Sequence, residues 1–296
     1  MKGAGRLEGG TFGSIQEVRE GLGRVGYVAD ERIAGVVYLA RRLGKPVLVE
    51  GPAGTGKTQL AKSVAEMAES RLIRLQCYEG LDEAKALYEW DYRKQLLRIQ
   101  AEPSAPSWRA LEADIFSEDF LLTRPLLEAI RSDEPVVLLV DEIDRVEPET
   151  EALLLEVLSE YQVSIPELGT IRATRVPMVL LTSNNTRELS EALKRRCLYL
   201  HVDYPGLERE RDIVLRRVPG IAEELADQVA RIVRSLRSLE LRKPPSVAET
   251  LDWARTLVIL GVESVDAASA ADTLHVLLKY RQDIERAAKE LLAADA

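Results

Sequence analysis

The sequence predicts an α/β fold, a five-stranded parallel sheet with helices on both faces, followed by a small all-helical domain. Three observations carry this reading. Five short apolar runs alternate with helical patterns, and successive parallel strands need a crossover long enough to hold a helix. A glycine-rich loop sits between the first of those runs and a helix. Beyond Tyr204-Pro205-Gly206 the strand signals stop, and every later segment has helical period. With 296 residues, 46% of them hydrophobic, the chain can build two domains with separate cores.

In chain order, residues 1–13 are rich in glycine and read as a mobile tail. The α/β domain is expected over 14–204, with an insertion near 79–105, and the helical domain over 205–296. Pro46–Glu50 (PVLVE) is the first strand. The loop after it, Gly51, Pro52, Ala53, Gly54, Thr55, Gly56, Lys57 and Thr58, fits G-x-x-x-x-G-K-T. Such a loop turns backbone N–H groups inward around a phosphate. The dipole of the next helix adds favourable potential, and Lys57 reaches the β and γ oxygens. Leu60, Val64 and Met67 then recur at i, i+4 and i+7, as an amphipathic helix requires. The motif therefore predicts a nucleoside-triphosphate site.

Leu72–Cys77 is the second strand. In the insertion, Tyr88-Glu-Trp90-Asp-Tyr92-Arg alternates aromatic and charged residues. A strand over this stretch would put Tyr88, Trp90 and Tyr92 on one face, either as a client-contacting surface or packed against their own subunit. Val136–Val140 is a continuous apolar run, as in a strand buried on both faces, and it ends in Asp141-Glu142-Ile143-Asp144. Ligands in open α/β sheets bind beyond the carboxyl ends of strands, so Asp141 and Glu142 are expected beside the glycine loop. Asp141 and the Thr58 hydroxyl are the candidate Mg²⁺ holders, and Glu142 is the candidate to orient or deprotonate water. Pro148 opens a helix with Leu154, Val157, Leu158 and Tyr161 on one face. A hairpin is expected around Gln162–Ala173, turning near Gly169. Met178–Thr182 and Cys197–Val202 complete the strands.

Composition limits the partners. Thirty per cent charged residues and a net charge of −9 argue against a polyanion-binding surface, so no nucleic acid is expected. No apolar run approaches a membrane span, and the N-terminus lacks a basic-then-apolar leader, which together point to a cytoplasmic protein. Cys77 and Cys197 read as reduced, buried thiols, and His201 and His275 as isolated residues without ligand-spaced neighbours. A small GTPase is excluded, because no N-K-x-D run exists and Asp141 is followed by Glu-Ile rather than x-x-Gly.

The order GPAGTGKT, LLVDEIDR, LLTSNN and EALKRRC, followed by helices, resembles the AAA+ ATPases, specifically their MoxR branch. Asp141–Glu160 is especially similar to that branch. Cys77–Gln100 and Lys243–Arg255 resemble the CoxD-type subgroup of carbon monoxide dehydrogenase accessory ATPases. The resemblance implies ATP and Mg²⁺ as cofactors and the P-loop core with its helical lid. It implies that Asn184 in LLTSNN is the polar sensor that holds the attacking water. Arg196, or its neighbour Arg195, matches the arginine finger that reaches a neighbouring subunit's ATP, which implies a homo-oligomeric ring, a hexamer. It also implies a von Willebrand factor A partner and a metalloenzyme client, such as a molybdenum hydroxylase, matured by ATP-driven remodelling. Two alternatives stay open, an ATP-gated assembly scaffold and a magnesium-chelatase-like subunit. The arginine that many relatives carry at the start of the third lid helix is missing from Lys243-Pro-Pro-Ser-Val-Ala-Glu. Arg242 and Lys243 are the nearby replacements, and the contact is left unassigned.

Overall fold

A computed structural model describes residues 12–101 and 108–294. Nearly all of the expected N-terminal tail, and the end of the insertion at 102–105, lie outside the described residues. The strands are β1 (Val47–Glu50), β2 (Arg71–Gln76), β3 (Tyr88–Trp90), β4 (Leu121–Thr123), β5 (Val136–Asp141), β6 (Gln162–Ile165), β7 (Gly169–Arg172), β8 (Met178–Ser183) and β9 (Leu198–His201). Helices α1 (Ile15–Arg24), α2 (Glu31–Leu43), α3 (Lys57–Met67), α4 (Glu83–Ala86), α5 (Tyr92–Ala101), α6 (Trp108–Ile115), α7 (Pro125–Arg131), α8 (Pro148–Glu160) and α9 (Glu191–Lys194) run among them. Five more helices follow: α10 (Leu207–Arg217), α11 (Glu223–Ser238), α12 (Val247–Ile259), α13 (Ala267–Leu277) and α14 (Arg281–Ala294).

The main sheet has five parallel strands in the order β2-β5-β8-β1-β9, formed by the five apolar runs. All six residues of β5 and of β8 are buried, because helices cover both faces. Side chains alternate between two cores. Leu138 and Val140 join Leu48, Leu126, Ile130 and Leu154 on one face. Val137 and Leu139 join Ile33, Val37, Leu60 and Val64 on the other. Pro148 occupies the first turn of α8, whose Leu154, Val157 and Leu158 are buried. Tyr161 lies just past the helix in a left-handed conformation, φ 49°, and its hydroxyl donates to the Gly44 carbonyl at 2.8 Å. The expected hairpin is β6 against β7, with the turn ending at Gly169.

Helices α10 to α14 enclose a third core around Trp253, which is fully buried. Its indole N–H donates to the Thr273 hydroxyl at 2.8 Å, which removes the cost of burying that donor. Ser246 and Glu249 form a capping box at the start of α12, so the Lys-Pro-Pro-Ser sequence ends an extended segment and fixes where the helix begins.

The insertion corrects one expectation. The alternation at Tyr88–Arg93 predicted a strand with one aromatic face, but β3 stops at Trp90 and pairs antiparallel with β4. Asp91 then caps α5, its Oδ1 accepting the Lys94 N–H at 3.0 Å and its carbonyl the Gln95 N–H. A short acidic side chain satisfies the free N–H groups of a helix start, and here that preference overrides the two-residue period. Trp90, 7% exposed, packs edge-to-face against Phe116 at 5.2 Å and Tyr88 at 6.4 Å. Tyr92 is 61% exposed on α5. The three rings therefore form no common surface. Trp90→Ala is expected to cost about 3–5 kcal/mol in chemical denaturation, whereas Tyr92→Ser should stay within about 0.5 kcal/mol of the parent.

Candidate active site

The glycine loop connects β1 to α3 as its motif requires. Gly51 has φ 151°, and a Cβ there would overlap the Val202 carbonyl as the chain passes beyond β9. Gly54, at φ 75°, leaves no room for a Cβ against Ser246, and its carbonyl accepts the Val247 N–H at 3.1 Å. The loop thus touches the first turn of α12 directly. Lys57 is 5% exposed, and its ammonium donates to the carbonyls of Gly51 at 2.7 Å and Pro52 at 2.6 Å. Burial lowers its pKa, while the carboxylates of Asp144, Asp141, Glu142 and Glu50 act in the opposite direction.

Asp141, the last residue of β5, is 2% exposed. Its Oδ1 accepts from the Thr58 hydroxyl at 2.9 Å and the Thr182 hydroxyl at 2.5 Å. Its Oδ2 accepts from Arg74 Nη2 at 2.6 Å and Nε at 3.1 Å. Glu142 follows in a left-handed conformation, φ 59°, with its N–H donating to Thr182 at 2.9 Å. That backbone is costly for a non-glycine residue, and it turns the Glu142 side chain away from the strand direction. The carboxylate Oε2 pairs with Arg145 Nε at 2.7 Å and accepts from Gln76 Nε2 at 3.3 Å.

Asn184 stands one residue beyond β8. The turn that follows it is anchored by two buried carboxylates, which sequence reading did not single out. Asp144 Oδ2 accepts from the Thr186 N–H at 3.0 Å and hydroxyl at 2.6 Å. Burial raises the Asp144 pKa, but hydrogen bonds from Thr186, from the Asn184 backbone and from its own backbone together hold the carboxyl below its usual range. Glu151 on α8 accepts from the Ser190 N–H at 2.9 Å and from Arg187 at 3.0 Å. Charged residues in such apolar surroundings, Asp144 in DEID and Glu151 within a leucine-rich helix, were the available signal.

Between the α/β core and the C-terminal helices lies a cavity of about 460 Å³. Lys57, Thr58, Asp141, Glu142 and Asn184 line its core side, together with loop residues 53–56. Gly26, Tyr27 and Val28 close one end, and burial pushes the Tyr27 hydroxyl up to about 12. Arg209, Arg217 and Arg255 face it from α10 and α12, a cationic arc suited to polyphosphate. Neither sequence candidate for the lid cation is there. Lys243 pairs with Glu249 at 2.9 Å, and Arg242 stacks over the Tyr280 ring at 4.2 Å. Arg255 was legible only as the residue one and two turns beyond Leu251 and Ala248 on a single helix face. Arg196 is not part of this cavity. Its guanidinium donates to the Ala192 carbonyl at 2.8 Å and to the Ser159 hydroxyl, while Arg195 is exposed.

Thr58 and Asp141 offer hard oxygen donors side by side, a set that fits Mg²⁺, which uses few protein ligands and keeps waters and phosphates for the rest. Among the described residues no group of three or more His, Cys, Asp and Glu is placed to hold a metal ion. Cys77 is buried and Cys197 only half-buried, both are free thiols, and burial pushes each up to about 12, which favours the thiol over the thiolate. Among the described residues no helix is long and apolar enough to cross a membrane.

The profile of the AAA domain, dynein-related subfamily, matches residues 46–197, from β1 to the start of β9. The chain belongs to this AAA family. Its relatives include an uncharacterized protein of Staphylococcus aureus (strain bovine RF122 / ET3-1), 25% identical over 243 residues, which spans 78% of this chain and 85% of the relative. A second, from strain USA300, is 24% identical over the same shares. Among solved structures, the RuvB Holliday junction branch migration motor of Thermotoga maritima is 18% identical, with a TM-score of 0.44 over 89% of this chain and 72% of that one. A RuvB mutant from the same organism is 17% identical, with a TM-score of 0.48 over 83% and 68%.

The contact between the AAA loop and α12 gives a direct test. Gly54→Ala puts a Cβ into Ser246 and strains the left-handed backbone, so it should weaken binding of a fluorescent ATP analogue by about tenfold in an equilibrium titration.

Proposed function

We propose that this AAA protein is a Mg²⁺-dependent ATPase that works as a homo-oligomeric ring, a hexamer, and remodels a client protein. The observation that carries the reading is the convergence of Lys57, Thr58, Asp141, Glu142 and Asn184 on one cavity roofed by three arginines. In this reading the N–H groups of the 51–58 loop bind the phosphates, and Lys57 turns from its loop carbonyls toward the β and γ oxygens. Thr58 and Asp141 hold Mg²⁺, which when bound neutralises phosphate charge. Glu142 accepts a proton from the attacking water, and the Asn184 amide holds that water in line. To do so, Glu142 has to leave Arg145 and Gln76.

Arg196 is read as the finger for the next subunit. Its placement away from its own subunit's cavity agrees with a role in trans and would leave a lone subunit slow. The client reading rests on the MoxR and CoxD-type resemblance of 77–100, 141–160 and 243–255. The proposed setting is the cytoplasm, with a metalloenzyme such as a molybdenum hydroxylase as client and a von Willebrand factor A protein as partner.

Glu142→Gln should lower single-turnover hydrolysis at least about 100-fold while ATP affinity stays within about threefold of the parent. Loss of binding in that variant would mean the role is wrong. Lys57→Ala should abolish measurable binding or turnover without altering the melting temperature by more than a few degrees. For the finger, mixed rings of Arg196→Ala and Glu142→Gln subunits should recover ATPase activity that neither variant has alone, and demonstrated mixing without recovery would exclude the trans role.

A further inference from the structure

The hydrogen bonds at Asp141 leave its carboxylate with no free acceptor. An ionised carboxylate offers about four lone-pair sites. Asp141 has four partners: the hydroxyls of Thr58 and Thr182 on Oδ1, and two guanidinium N–H groups of Arg74 on Oδ2. A cation, or a water from its hydration shell, can reach Asp141 only by displacing one of them. Thr182 is buried and ties Asp141 to the Glu142 N–H. Thr58 is itself the other oxygen of the metal pair. Arg74 is the partner that can yield, because its side chain is 45% exposed against 2% for Asp141.

Strand geometry explains why the arginine is there. β2 is the edge strand of the sheet and pairs only with β5, in a register that sets Gln76 opposite Asp141 and Arg74 opposite Leu139. Residues 74 and 76 share a face, while Ile73 and Leu75 point into the core on the other side. Arg74 Nη2 also donates to the Gln76 amide oxygen, and the Gln76 amide nitrogen donates to Glu142. One guanidinium is thus joined to the metal carboxylate directly and to the hydrolytic carboxylate through one amide.

We propose that Arg74 is a positioning residue that occupies the metal carboxylate in the metal-free site and must leave it before Mg²⁺ is held there, which also removes the guanidinium from the Gln76 amide that contacts Glu142. This rests on the ATPase reading above. The arginine fixes the Asp141 rotamer in the metal-free site, and its positive charge opposes a divalent cation at the same oxygen. Removing it makes the metal easier to bind and the two carboxylates less well coordinated with one another.

The test is binding of a fluorescent non-hydrolysable ATP analogue across a Mg²⁺ series, with Mn²⁺ occupancy read by electron paramagnetic resonance and kcat measured separately at saturating metal. For Arg74→Met the metal concentration at half-maximal nucleotide binding should fall about tenfold while kcat falls by about the same factor. Arg74→Lys keeps the charge and loses the fork, so its metal half-point should stay near the parent's while kcat drops. Should Arg74→Met melt early, Arg74→Gln and Arg74→Lys carry the same comparison. Parental metal half-points in the Met or Gln variant, or weaker metal binding, would overturn the proposal. A parent protein that shows no Mg²⁺-dependent ATP hydrolysis would sink the ATPase reading itself, and this with it.

Discussion

The buried carboxylate of Asp141 is the interaction on which the site depends. It sits at the end of β5, between β2 and β8 in the sheet, and the groups that satisfy it come from three other elements: Thr58 from the first turn of α3, Thr182 from β8 and Arg74 from β2. A carboxylate so deeply buried without donors would be destabilising by several kcal/mol, so the three elements are held in mutual register by the need to satisfy it. The glycine loop takes its position from the same constraint, since Thr58 is its last residue. Glu142 inherits its left-handed backbone because Thr182 accepts its N–H while donating to its neighbour.

A second constraint joins the two parts of the chain. The helical C-terminal part has its own core around Trp253, yet the start of α12 rests on the phosphate loop through Gly54, Ser246 and Val247. The buried pair of Arg237 with Glu210 ties α11 to α10, and Arg237 also donates to the Pro245 carbonyl at 2.8 Å. The segment before α12 is therefore fixed to the same bundle that carries Arg209 and Arg217. Any tilt of these helices changes the cavity's cationic wall and the loop's contact together.

The charges of the cavity are set locally and not by overall composition. A chain with net charge −9 still gathers Lys57, Arg209, Arg217 and Arg255 around one space. The overall balance speaks to long-range steering and solubility, whereas a polyphosphate site needs only a local concentration of cations. Those arginines lie on helices more than 140 residues from the glycine loop, and nothing in their immediate sequence marks them as neighbours of it.

The sequence by itself determined the strands of the sheet, the loop and the acidic strand end, for a physical reason: each is a local pattern with its own chemistry. A five-residue apolar run such as Val136–Val140, set among helical patterns, has the length and composition of a strand buried on both faces, and the spacing of three glycines before Lys57-Thr58 is itself the pattern of a phosphate-binding loop. Tertiary structure alone decided which groups meet. It put Arg74 on Asp141, parked Glu142 against Arg145 and Gln76, and used Asp144 and Glu151 to anchor the turn after Asn184. It also broke the Tyr88–Tyr92 alternation, where Asp91 caps α5 after β3 ends, and it set Arg255 rather than Lys243 on the cavity wall. These outcomes depend on hydrogen bonds and ion pairs between segments far apart in the chain, whose energies arise only once the sheet register and the docking of the C-terminal helices are set.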